Sequence, residues 1–318
     1  MNFSRNLTVT ILFGFGLLSA AELYARKMEI VRTMSGPVTV LRDSVTITDK
    51  GTVIHSRYAQ LSRSQDQAVL SDSVRIQTPE VFVLADSVEY DFQQRQSWLY
   101  ARPGKMVLVR QESVEIRAPV VAYDVNQGLV QAPQGLELKT RSQSFLLTGK
   151  DGVYFVNSRS GIVDSEPVLT IRNDQEAVVV TANKMEYAEY DSRFLAAGKV
   201  RVCSGAGELV CDSAVFFMNG DSGIAWGLPQ VHDSSGTAKG DTLVFYLQER
   251  ALRQVSLHGR TEGEYRTEAG ETVLVTGSVL SMLLDKGKIE EITVDNLISG
   301  QLIRKWSQQN TTIKSERE

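Results

Sequence analysis

Three aspartates, Asp86, Asp212 and Asp241, recur at one place in a repeated motif. Carboxylates at a fixed repeat spacing could cleave a glycan by paired acid and base, or hold calcium along a solenoid. Equivalent places carry Pro119 and Lys150, so the ladder is broken. Short Asp side chains also stabilise bent or left-handed backbone, which gives these residues a structural role instead. His55, His232 and His258 are scattered, and the spacing of Cys203 and Cys211 fits no zinc motif. There is no Gly-rich phosphate loop, no H-E-x-x-H and no nucleophile elbow. The expectation is a protein that is not an enzyme, with no catalytic residue, no metal site and no cofactor.

The motif that carries these aspartates organises the chain. Val83 to Tyr90 reads V-L-A-D-S-V-E-Y: an apolar residue, a small one two places on, an apolar one three further, an aromatic two beyond. The same order returns as Ile116, Ala118, Val121, Tyr123 and as Leu147, Gly149, Gly152, Tyr154. It returns again from Val180 to Tyr187, Leu209 to Phe216, Ala238 to Phe245 and Val275 to Met282, with a weaker first copy from Ile54 to Leu61. These eight copies lie roughly thirty residues apart, a period that signals stacked supersecondary units burying one another's faces.

Each repeat has two extended halves with period-two alternation of apolar and polar residues. Links such as Gln93-Gln94-Arg95-Gln96 and Asn126-Gln127-Gly128 are short enough for hairpins. A parallel pair would need a crossover of about a dozen residues, so the meander is antiparallel. The motif's two-three-two spacing slips the alternation by one residue at Ala85-Asp86 and its equivalents, which requires a bend or bulge there. Breaks at Arg102-Pro103-Gly104, Ala132-Pro133-Gln134, Glu166-Pro167, Ala197-Gly198 and Leu228-Pro229 crease the second halves. The predicted fold is all-β: an elongated antiparallel β-jelly roll, or β-taco, of about eight two-strand repeats. Gly259 to Gly270 is predicted to protrude as a hairpin.

Folding the sheet along its creases brings two inward columns face to face. One holds Tyr90, Tyr123, Tyr154, Tyr187, Phe216, Phe245 and Met282; Leu99, Leu129, Ile162, Phe194, Ile224 and Leu252 are expected to face them. The columns either pack as a dry core or leave an apolar trough for acyl chains. The candidate lipid contacts are Val88, Tyr90, Val121, Tyr123, Tyr154, Met185, Tyr187, Phe194, Phe216, Ile224 and Phe245. An open sheet also leaves edge strands, expected near Val38 to Leu41 and near Ile292 to Leu297, where another chain could pair.

A net charge of -4 with interspersed signs lacks the basic footprint of a nucleic-acid binder. The uncharged run from Leu7 to Ala21, after Arg5, has the length of a signal-peptide core, and an uncleaved helical anchor is the alternative. Residues 1–25 are therefore assigned to export or anchoring, 26–300 to the repeats and 301–318 to a polar tail. Export permits a disulfide between Cys203 and Cys211, although alternation points Cys203 outward and Cys211 inward; a bond and two free thiols both stay open.

V-L-A-D-S-V-E-Y and V-V-T-A-N-K-M-E-Y, with following strands such as A-A-G-K-V-R-V, resemble the OstA-like family of lipopolysaccharide-transport proteins, which includes LptA, LptC and the N-terminal domain of LptD. The resemblance runs from about Val38 to Gly300. It implies a periplasmic β-taco, soluble or anchored to the inner membrane, that binds lipid A acyl chains inside. It further implies end-to-end assembly with other Lpt-type proteins, or with itself, into a bridge between membranes. The chain is longer than a minimal LptA module and too short to include the LptD barrel.

Overall fold

The computed structural model describes Thr8, Val9 and residues 21–303, apart from short gaps at 35, 63–65, 141–144, 173–176, 206, 249–250, 268 and 286–287. Most of the predicted export segment and the tail beyond Ile303 lie outside the described residues. Among the described residues no helix is long and apolar enough to cross a membrane.

Every strand pairing is antiparallel, and consecutive long strands are neighbours throughout. Motif strands such as Phe82–Asp91 and Gly207–Phe217 alternate with strands interrupted near their middle. The interruptions are left-handed backbone positions at Asp43 and Ser44, Asp72 and Ser73, Gly104, Gly135, Glu166, Gly198 and Lys199, Gly227 and Leu228, Gly259, and Asn296. Bulges accompany them, for example between Ala197 and Val200. In Phe82–Asp91 the buried residues are Val83, then Val88 and Tyr90, so the motif does slip phase at its centre. One continuous sheet is thereby folded along its length into two facing walls.

The register shows how one wall is built. Tyr90, Ser97, Tyr123, Val130, Tyr154, Gly161, Tyr187 and Phe194 are successive cross-strand partners. The row continues through Phe216, Gly223, Phe245, Val255 and Met282. Facing it runs a row of Ile54, Ile76, Val83, Val109, Ile116, Leu138, Leu147, Leu169 and Val180. The first is the aromatic wall and the second the aliphatic wall.

None of the six residues expected to face the aromatics does so: Leu99, Phe194 and Leu252 lie in the aromatic wall itself, paired with Val88, Tyr187 and Leu247, and the other three face outward. Leu129, Ile162 and Ile224 alternate with the buried Gly128 and Val130, Gly161 and Val163, and Gly223 and Ala225. Between the rings the inward place is taken by Val130, Gly161 and Gly223, and at Gly223 no side chain fits. A Cβ on Gly223 would lie 2.1 Å from Cζ of Phe245 and 2.6 Å from the Val215 carbonyl oxygen. Gly223→Val therefore lowers stability by about 1–3 kcal/mol in urea unfolding. Gly161→Ala, whose new atom meets nothing nearer than 3.4 Å, should stay under about 1 kcal/mol.

Two further expectations are corrected. Gly259 to Gly270 does not protrude: Ala251–Arg266 is one strand, creased at Gly259 and paired with Thr272–Asp285. Val38 to Leu41 is not an edge, because Lys27–Thr33 pairs with it on one side and Thr52–Leu61 on the other. Among the described residues the terminal strands are Lys27–Thr33 and Thr8–Val9, the latter paired with Glu22–Tyr24, at one end, and Lys288–Asp295 and Ser299–Ile303 at the other.

Candidate functional site

The crease aspartates serve the backbone. Asp86 accepts the Arg102 N–H at 2.8 Å, and Asp241 accepts the Arg260 N–H at 3.2 Å, capping amides that the bulged ladder leaves over. The Arg260 backbone N–H and guanidinium hold the Asp241 carboxyl below the usual carboxylate range. Asp212 packs against Gly227, where a Cβ would lie 2.4 Å from its carboxylate. Both cysteines are free. Cys203 pairs with Glu208 and Cys211 with Val200, on opposite parity of one hairpin, and burial pushes the Cys211 thiol up to about 11.

The inside divides into two halves. From Ile47 to Tyr154 the walls meet: Val88, Tyr90, Leu99, Val121, Tyr123 and Tyr154 are each at most 3% exposed. Five of the candidate lipid contacts, Val88, Tyr90, Val121, Tyr123 and Tyr154, thus belong to a packed core. Polar contacts close the mouth above them. The Tyr90 hydroxyl donates to Asp49 Oδ2 at 3.1 Å, and Arg95 Nε lies 3.6 Å from the same oxygen. Arg95 also donates to the Lys50 carbonyl and the Thr52 hydroxyl. The Tyr154 hydroxyl donates to Gln111 Oε1 at 2.9 Å, while Gln111 Nε2 donates to the Val156 carbonyl at 3.0 Å. Arg159 pairs with Glu112, and Ser113 with Glu189, along the same rim. Each contact joins one wall to the other, and breaking a buried one leaves groups unpaired at about 1–3 kcal/mol each.

Burial pushes the Tyr90, Tyr154 and Tyr187 phenols well above their ordinary range, with Asp49 adding to it at Tyr90 and Glu189 at the other two. A pKa raised on folding favours the neutral phenol. The associated stability is complete below the unfolded value of about 10 and is lost as the pH rises through it toward the folded values. Urea unfolding at about pH 9 and about pH 11 should show a marked fall in midpoint, in step with phenolate absorbance.

Beyond Tyr187 the row loses its hydroxyls, continuing as Phe216, Phe245 and Met282. Here the walls part around a cavity of about 690 Å³. Met185, Phe194, Phe216 and Phe245 line it from the aromatic wall. Val180, Val202, Val231 and Val275 line it from the aliphatic wall. Many lining residues, among them Val180, Val202, Val275, Leu247 and Ile289, are only partly buried although they pack on the core. Tyr187 is buried beside Phe194, ring centroids 5.1 Å apart, just outside the cavity, and Ile224 is on the outer surface.

Two features escape a reading of the columns alone. The aliphatic wall supplies as much of the lining as the aromatic one. Phe145, an aromatic in the mostly aliphatic wall, crosses the interior to lie 5.5 Å from Phe194 and 5.7 Å from Phe216, ring centre to ring centre. It is 4% exposed and, without itself lining the cavity, packs against two residues that do. The signal available for it was an aromatic two places before Leu147, out of keeping with the equivalent positions. At the cavity mouth, the carboxylate of Glu208 is held between Arg201 and His232 Nε2, the latter at 2.5 Å.

No protein-family model matches the chain, and no curated protein matches it. Among solved structures, one similar chain is LptH of Pseudomonas aeruginosa, an LptA-homologous periplasmic component of the lipopolysaccharide transport device. The match has 14% identity, covers 43% of this chain and 76% of that one, and has a TM-score of 0.20, too low to carry an argument about function.

Proposed function

We propose that this protein is an exported, non-enzymatic carrier of lipid acyl chains that serves lipopolysaccharide transport in the periplasm. The observation that carries the reading is the hydrocarbon-lined cavity of about 690 Å³ between the walls of the C-terminal half. Its size lies within the roughly 300–1,000 Å³ of ligand pockets, and each methylene taken from water into it contributes about 0.8 kcal/mol. Aliphatic and phenyl surfaces need no polar match to an acyl chain, whereas the headgroup stays at the mouth near Arg201 and His232. The recurring V-L-A-D-S-V-E-Y motif supports the choice of lipid through its resemblance to the OstA-like family.

Assembly end to end, with a like protein or a second copy, is the accompanying proposal. The terminal strands support it: Ile30 is 70% exposed in Lys27–Thr33, and Leu302 and Ile303 are about half exposed in Ser299–Ile303. Such edges carry unpaired backbone groups ready for β-augmentation.

The dry N-terminal half favours a second reading, a structural adaptor of the envelope that carries nothing. Organic extraction of the protein purified from its native envelope, followed by mass spectrometry, separates the two. The carrier yields an acylated lipid in near-stoichiometric amount; an extract without lipid, together with no uptake of added lipid A, overturns it.

A further inference from the structure

We infer that the cavity is a blind trough whose closed end is built by Phe145, and that this end limits the length of acyl chain the protein accepts. The inference rests on the acyl-chain reading above and adds to it a specificity-determining residue. At the C-terminal end the lining runs out to Ile292 and Val294 on the terminal strand Lys288–Asp295, and among the described residues nothing closes the trough there. At the other end the lining stops at Leu169, Ile171, Met185 and Phe194, and Phe145, paired with Ile171 on the neighbouring strand, spans the gap behind them to lie against both Phe194 and Phe216. A chain threading from the open end is halted where Phe145 fills the space between the walls.

What lies behind the ring explains why the trough stops there. Behind it the aromatic row continues with Tyr187, buried beside Phe194, and then Tyr154, whose hydroxyl is tied to Gln111 of the opposite wall at 2.9 Å. Gln111 is itself 5% exposed and returns a hydrogen bond to Val156. A hydrocarbon tail can replace neither bond, so pushing past Phe145 would leave a phenol and a carboxamide buried without partners. On the cavity side the row continues through Phe216, Gly223, Phe245, Val255 and Met282, none of which has a hydroxyl to displace. The change from tyrosine to phenylalanine along one row therefore coincides with the change from closed to open, and Phe145 stands at that boundary.

The test uses saturated fatty acids from octanoate to stearate, with binding to the full chain read by displacement of anilinonaphthalene sulfonate. In the unaltered protein affinity should rise with chain length and then level off. Phe145→Ala should move the plateau to longer acids, and Phe145→Ala combined with Tyr154→Phe and Gln111→Leu should move it further. Circular dichroism and urea midpoints establish that each variant is folded; Phe145→Leu, which shortens the plug while keeping an apolar side chain, serves if the alanine variant is not. A plateau unchanged in a folded plug variant overturns the inference while leaving the carrier reading intact. Absence of binding at every length overturns the carrier reading, and the inference with it.

Discussion

Replacing Asp49 by alanine lowers the free energy of unfolding by about 3 kcal/mol or more. Asp49 is 4% exposed at the rim of the aliphatic wall, and its carboxylate receives the Tyr90 hydroxyl and faces Arg95. Removing it strands a phenol that is 1% exposed and deprives a largely buried guanidinium of its counter-charge. The bonds from Arg95 to Lys50 and Thr52 remain, which places the effect toward the lower end of what a broken buried pair costs. Tyr90→Phe keeps the ring and the ion pair and should cost only about 1–2 kcal/mol. The check is the urea midpoint at constant slope; a loss below about 1 kcal/mol for Asp49→Ala would mean that the rim contacts are incidental to closure.

Val275→Asp should weaken acyl-chain binding by about a hundredfold or more while the protein stays folded. Val275 lines the cavity and is only partly buried, so a carboxylate there keeps contact with water through the mouth until a ligand covers it. Covering it without a partner then costs a few kcal/mol, on the order of the binding energy of several methylenes. Val275→Thr, close in shape and uncharged, should lose much less. Tyr123→Asp is the contrasting substitution: at 3% exposure in the dry half it should unfold the protein instead of reporting on ligand. Equal losses of binding for the aspartate and threonine variants would locate the ligand elsewhere.

The fold was legible because its determinants are local. Alternation identifies strands, short polar links make them antiparallel, and the slip at Ala85-Asp86 demands a crease within a single strand. The site was legible only in part. Leu129, Ile162 and Ile224 looked inward because they are large apolar residues beside smaller ones in their strands. Yet the inward position was Gly161 or Gly223 in two of those strands, since the flanking rings of Tyr154 and Tyr187, or of Phe216 and Phe245, already fill the space. Inside one strand a glycine beside an isoleucine reads as the weaker candidate; only the neighbouring strands reveal that it is the one that fits.

By itself the sequence determined the strands, the aromatic row and the crease, since each follows from the order of residues along a strand. Which residues face that row was not determined, because Leu99, Phe194 and Leu252 lie beside the aromatics and the motif's own first apolar residues stand opposite. Tertiary structure alone decided where the walls touch and where they separate. That outcome depends on pairs remote in sequence, Tyr90 with Asp49, Tyr154 with Gln111 and Phe145 with Phe194. It depends also on whether side chains from opposite walls together fill the gap, a sum of volumes and hydrogen bonds that no single strand contains. The same column of aromatics is therefore core at Tyr90 and cavity lining at Phe245, although its spacing is the same at both.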